Sequence, residues 1–274
     1  MNDYLRVLDS AEKHLAELKA SGVRFLTVEQ KTLAVLAEAP DPTVVATEVA
    51  IPNGHPIETS LAITQDAMPT PGDMDELRER AHACLKCPHL VKSRKNVVFG
   101  VGDIHAKLMF VGEAPGADED EQGEPFVGAA GQLLTRIIQT MGLSRETVYI
   151  ANILKCRPDT PGQSYGNRKP TPDEMRTCMP YLLAQIELIR PKVMVALGAT
   201  AIEGLLGKAE GIGKSRGHFQ TYRDIPLMPT FHPAYLLRNQ ALSEKRKVWE
   251  DMLQVMEKLE MEISEKQRGY FLKA

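Results

Sequence analysis

Four short apolar runs, at 108–111, 148–153, 193–197 and 227–229, set the limits on what this chain can fold into. Each has the length of a buried strand, and stretches with helical spacing of apolar residues lie between them. The spacing predicts helices over 74–84, 132–141, 172–189, 199–206, 233–239 and 244–262. Strands alternating with helices make βαβ units. The chain therefore reads as α/β, with an open, mostly parallel four-stranded sheet and helices on both faces.

The residues just beyond each run carry the chemistry. Gly112-Glu113-Ala114-Pro115-Gly116 comes after the first, leading through an acidic loop to Pro125-Phe126 and a small-residue helix entry at Gly128. Asn152 and then Cys156-Arg157-Pro158 come after the second, Gly198-Ala199-Thr200 after the third, and Phe231-His232-Pro233 after the last. Open α/β sheets bind ligands outside the carboxyl ends of their strands, so four such motifs in register point to one site at one rim.

The chain has four cysteines: Cys84 and Cys87 as a CxxC before Pro88, then Cys156 and Cys178. All sit in polar, Lys/Arg-containing surroundings, which favours metal ligation over disulfides or inert thiols, and zinc and iron–sulfur both accept four thiolates. His82 and His89 flank the pair and read as surface residues.

The formal net charge of −3 conceals an asymmetry. Residues 1–80 hold 14 acidic and 7 basic side chains; from 81 onward there are 22 acidic and 26 basic. The mildly basic second part suits a phosphate-backbone partner, and the acidic first part is an extension. Within that extension, apolar residues at helical spacing (Leu5, Leu8, Ala11, Leu15, Leu18) and a second helical stretch near 28–37 give a helical extension over 1–38. Six prolines between Pro40 and Pro71 make 39–73 a linker. The site-bearing domain then runs over 74–262, with a tail at 263–274. No apolar run approaches the ~20 residues of a membrane span. The polar, acidic N-terminus has no signal-type apolar stretch, so a cytoplasmic, non-membrane chain is expected.

Taken in order, Cys84-x-x-Cys87, the Gly112–Gly116 turn, Glu124-Pro125-Phe126-Val127-Gly128, Asn152-Ile153-Leu154-Lys155-Cys156-Arg157-Pro158 and His232-Pro233-Ala234-Tyr235-Leu236-Leu237 resemble the iron–sulfur uracil-DNA glycosylases of family 4. The resemblance covers roughly residues 74–262. Residues 159–165 lengthen the interval between Cys156 and Cys178 relative to that family. The resemblance implies an α/β/α sandwich, a structural [4Fe–4S] cluster on Cys84, Cys87, Cys156 and Cys178, and excision of uracil from single- or double-stranded DNA. It also implies a monomer, with the N-terminal helices left for a protein partner.

The same resemblance assigns roles. His232 would hydrogen-bond the uracil O2, and a neutral imidazole can do so without transferring a proton. Asn152 offers a donor and an acceptor, the complement of the uracil O4 and N3–H edge. Phe126 would stack on the flipped base, and Glu119 falls where the thymine methyl is excluded. Gly112 and Ala114 complete the base pocket. Other superfamily members carry a water-activating Asp where this chain has Ala114. Catalysis would therefore lean on leaving-group stabilisation, with water unactivated or oriented by Glu113. Arg157, Arg168, Lys214 and Arg216 are candidates for DNA phosphates, as are Lys155, Lys169 and Arg176. Gly211-Ile212-Gly213-Lys214-Ser215 imitates a phosphate loop, but Lys208 stands where the first glycine is needed. Two alternatives remain: a non-catalytic iron–sulfur nucleic-acid-binding protein of the same fold, and a covalent uracil-DNA crosslinker.

Overall fold

The computed structural model describes residues 72–160, 167–207 and 211–272. The expected helical extension and the linker up to residue 71 lie outside them. A helix α1 (Met74–His82) is capped by Asp73, whose side chain accepts from the Glu76 amide. A short α2 (Pro88–Ser93) comes after the CxxC, with Cys87 at its N-cap position. Then come β1 (Val101–Gly102), β2 (Leu108–Gly112), α3 (Ala117–Gln122), α4 (Ala129–Thr140), β3 (Tyr149–Asn152) and α5 (Pro172–Ile189). The chain continues through β4 (Val193–Leu197), α6 (Ala199–Leu206), α7 (Ile212–Ser215), β5 (Gln220–Tyr222), β6 (Ile225–Thr230), α8 (Pro233–Arg238), α9 (Leu242–Lys258) and α10 (Glu265–Arg268).

The sheet has six strands, in the order β1-β3-β2-β4-β6-β5, rather than four. Its four parallel central strands are those expected from the apolar runs. The two additions are antiparallel edges of two and three residues, too short and too polar to show as apolar runs. β5 turns into β6 through Arg223 and Asp224, both at positive φ (47° and 65°). That is the two-residue hairpin geometry normally signalled by Asn-Gly, in place of which this turn has Arg-Asp.

Every residue of β2, β3 and β4 is buried. Successive residues serve opposite faces. Met109, Val111, Met194 and Ala196 pack with α1, α5 and α6, whereas Leu108, Phe110, Val193 and Val195 pack with α4 and α9. Burial on both faces is why these strands read as continuous apolar runs. The parallel register pairs Gly112 with Asn152 and Leu197 with Thr230, which brings the strand tips level.

The acidic stretch after Gly116 is helical, not a loop. Asp120 is buried there and accepts the main-chain amides of Lys95 and Asn96, while Gly123 at φ 75° terminates the helix. The segment expected as a tail bears α10 and docks on α9, where Trp249 Nε1 donates to Gln267 O at 2.6 Å and Tyr270 stands edge-on to the indole. Among the described residues, no helix is long and apolar enough to cross a membrane.

One buried ion pair anchors β6 to α9. Asp251, fully buried, accepts two hydrogen bonds from Arg216 (2.5 and 3.1 Å) and one from the Thr230 hydroxyl (2.5 Å). Burial raises the Asp251 carboxyl, and the Thr230 and Arg216 hydrogen bonds oppose that rise. Arg216 also donates to Lys247 O and lies over the Phe231 ring. Its side chain is only 15% exposed, so it serves the interior and is withdrawn as a phosphate contact. Arg216→Met should cost about 3–5 kcal/mol in urea unfolding, because it strands the Asp251 carboxylate without a counter-charge.

Candidate active site

A cleft of about 560 Å³ opens at the carboxyl ends of the parallel strands. Glu113, Ala114 and Glu119 line it from the β2 side, Asn152 from β3, Gly198 and Thr200 from beyond β4, and His232 and Arg238 from beyond β6. Phe126 forms a wall, and Gly112 lies directly behind Asn152 and Phe126. A Cβ on Gly112 would collide with Asn152 Oδ1 and with Phe126 Cζ, so only glycine lets the strand tip approach both.

Asn152 is 2% exposed, and its Oδ1 is the one buried side-chain polar atom without a hydrogen-bond partner among the described residues. A stranded acceptor of this kind costs about 1–3 kcal/mol, and it marks a place where a ligand donor belongs. The Asn152 backbone is held from beneath. Lys155 Nζ donates to Asn152 O at 3.0 Å and to Gln185 Oε1 at 2.6 Å. Gln185 in turn donates to Phe99 O and the Tyr149 hydroxyl. Lys155 is buried, which pulls its ammonium down to about 8 and removes it from the basic surface expected around Arg157.

His232 is the N-cap of α8. Its Nδ1 accepts the Ala234 amide at 3.1 Å, so in the neutral ring the proton sits on Nε2. Burial, assisted by the Arg238 charge, drops the imidazole from 6.5 to about 4. The ring is therefore neutral at pH 7, with one N–H to offer. An unfolded His232 takes up a proton below pH 6.5 while the folded one stays neutral down to about 4. Stability consequently falls as the pH drops through that window, by up to about 3 kcal/mol at its acid end. Urea midpoints of His232→Gln should fall less steeply than wild type between those pH values.

Phe126 is 6% exposed, and its ring lies 5.6 Å from His232, tilted by 30°. Its φ of 55° is left-handed, a state that costs a side-chain-bearing residue about 1–3 kcal/mol. The Glu119 carboxylate accepts the amides of Gly116, Val127 and Gly128, each at 3.0 Å. It thus ties the glycine turn to the Phe126 loop, and its lone pairs are largely committed to backbone. Glu113 lines the cleft and accepts the Leu154 amide through its carbonyl.

The other expected cations divide. Lys214 is exposed on α7, the short helix that replaces the expected loop. Arg168 is paired in two hydrogen bonds with the buried Glu174, which also receives His89. Burial would raise Glu174, but Arg168, the Thr171 amide and His89 outweigh it and bring the carboxyl to about 2. Arg157 donates to Asn167, whose own amide donates to Pro115 O, bracing the glycine turn. Lys169 pairs with Glu203, and Arg176 with Asp173. Thr200 lies in the cleft as its strand-tip motif implies, whereas sequence reading missed Asn167 and Arg238. Arg238, six residues beyond His232 at the last position of α8, carried the one usable signal.

All four cysteines are free thiols. Burial raises Cys87, Cys156 and Cys178, the last to about 12, and the thiols of Cys84 and Cys156 contribute to raising their neighbours. They are thus close enough to feel one another. Arg94 Nη1 lies 3.0 Å from Cys156 Sγ, and the Lys155 amide donates to Cys178 Sγ at 3.2 Å. Among the described residues, no three His, Cys, Asp or Glu side chains converge as ligands of a single ion do.

The family model for the uracil DNA glycosylase superfamily matches residues 99–253. A type-4 uracil-DNA glycosylase from Thermotoga maritima is 47% identical over 182 residues, covering 65% of this chain and 91% of that protein. Similar matches are type-4 uracil-DNA glycosylases from Saccharolobus solfataricus, at 45% over 65% of this chain and 82% of the relative, and from Pyrobaculum aerophilum, at 44% over 62% and 87%.

Proposed function

Because the chain belongs to the uracil DNA glycosylase superfamily, we propose that its cleft receives a uracil base extruded from DNA and hydrolyses the N-glycosidic bond. It acts as a type-4 uracil-DNA glycosylase in DNA repair, leaving an abasic site. The observation that carries this reading is the stranded Asn152 acceptor, buried beside an aromatic wall and a neutral imidazole donor.

Uracil presents N3–H and the O4 carbonyl along one edge. Asn152 Oδ1 accepts the first and its amide nitrogen donates to the second. Cytosine offers an unprotonated N3 and an amino group there, so a fixed amide rejects it. Phe126 covers one face of the base. As the bond between the sugar C1′ and uracil N1 breaks, the electron pair stays on uracil and spreads to O2, and the sugar becomes an oxocarbenium ion. His232 Nε2–H donates to that O2 without giving up its proton, which a ring titrating near 4 is suited to do. Water adds to C1′, and its proton leaves with uracil. Ala114 offers no carboxylate to activate this water, and Glu113, which lines the cleft, is the residue to which its orientation falls in this reading.

Cys84, Cys87, Cys156 and Cys178 would hold a [4Fe–4S] cluster. The donor set fits: four thiols within electrostatic reach, with an N–H···S bond from Lys155 and an Arg94 contact to soak up charge. When bound, the cluster would tie together α1, the segment after β3, and α5. Anaerobically purified protein should carry about four irons and a broad visible absorption band; stoichiometric zinc without that band would overturn the assignment. Thiols of this kind belong in a reducing compartment such as the cytoplasm. Exposed Lys214 and part-exposed Arg157 and Arg168 remain as contacts for DNA phosphates, with a monomeric chain as the working unit.

The test is incubation with a uracil-containing oligonucleotide. Alkali-labile breaks at uracil are expected. Mobility shift without breaks would mean a binder, and a heat-stable adduct would mean a crosslinker.

A further inference from the structure

We infer that Arg145 is a positioning residue for the base-stacking wall, holding Phe126 in the left-handed conformation that sets its ring against His232. The inference rests on the uracil reading of the cleft. Arg145 comes after α4 and reaches back nearly twenty residues along the chain. Its Nη1 donates to Phe126 O at 2.9 Å and its Nη2 to Pro125 O at 2.7 Å, with Thr135 Oγ1 at 3.5 Å from Nη1. Two consecutive carbonyls are thus captured by one planar fork.

On the far side of the same peptide, Glu119 accepts the amides of Val127 and Gly128. A cation takes the carbonyls before the bend and an anion takes the amides after it. Between them, Phe126 stands at φ 55°. Gly131, the third residue of α4, completes the seat, since a Cβ there would run into the Phe126 carbonyl. A strained conformation persists only where its surroundings over-determine it, and here they do so from three directions. Arg145 is the one of the three that neither lines the cleft nor belongs to the helix packed under the loop, so it can be changed without removing a cleft-lining side chain.

Without the fork, the two carbonyls lose their donors and Phe126 can relax toward ordinary backbone angles. The ring would then swing from its place beside Gly112 and His232. Base stacking should suffer, and with it the binding of free uracil.

The experiment compares full-length wild type, Arg145→Lys and Arg145→Ala on a uracil-containing oligonucleotide, with free uracil as inhibitor. In Arg145→Ala, the inhibition constant for uracil should rise about tenfold and single-turnover release at saturation should slow by a similar factor. Arg145→Lys, which keeps the charge but loses the fork, should fall between. Millimolar guanidinium should restore part of the Ala variant's uracil affinity, as a merely structural lesion would not allow. A lower active fraction with unchanged uracil inhibition would overturn the inference. A crystal structure of Arg145→Ala gives a second readout independent of substrate: Phe126 retained at positive φ beside His232 would overturn it as well. Wild type releasing no uracil would sink the uracil reading, while the Phe126 conformation in the variant would still judge Arg145.

Discussion

Replacing His232 with alanine will slow single-turnover uracil release by about 100- to 1,000-fold, the loss typical of removing one preorganised donor from a developing anion. The reasoning starts from the α8 N-cap. Because Nδ1 is engaged by the Ala234 amide, the remaining proton has one position, Nε2. Because burial holds the ring near 4, that proton belongs to a neutral imidazole throughout the physiological range. The wild-type rate should therefore be level between about pH 5.5 and 8, with no inflection near the usual histidine value of about 6.5. A rate that fell through that inflection as the pH rose would mean an imidazolium acting as acid, and the neutral-donor mechanism would be lost.

The second large effect is expected at Asn152. Asn152→Ala should reduce uracil release by about 10³- to 10⁴-fold, the scale on which a site built around hydrogen bonds responds to losing them. The fold should not suffer in proportion. The bond from Lys155 runs to the main-chain carbonyl of residue 152 and survives the substitution. Removing the stranded Oδ1 also removes a standing penalty, so the variant should unfold at an equal or higher urea concentration than wild type. An inactive variant that is also markedly less stable would show that the amide serves the fold rather than the substrate.

The central sheet was legible because β2, β3, β4 and β6 are apolar runs whose ends carry the motifs at 112–116, 152, 198 and 232. Gly112, Glu113, Ala114, Glu119, Phe126, Asn152 and His232 do converge, because parallel strands in register deliver their tips to one edge. What stayed hidden was pairing across distance. Arg216 looked like any surface cation until α9 set Asp251 against it, and Lys155 looked basic and exposed until Gln185 enclosed it. Helix α3 has acidic residues on all sides and no apolar stripe, so periodicity could not reveal it; Asp120 is buried through contacts with 95 and 96. The hold of Arg145 on Phe126 likewise depends on a fold that sequence spacing does not encode.

Residues 152–156 put the amide that inspects the base and one of the four thiols on the same five-residue segment, with Lys155 pinned beneath. Damage to the sulfur side of the molecule should therefore be felt first as blurred base recognition, while the sheet behind it remains intact. Oxidative injury at Cys156 should weaken the grip on the base before it loosens the fold.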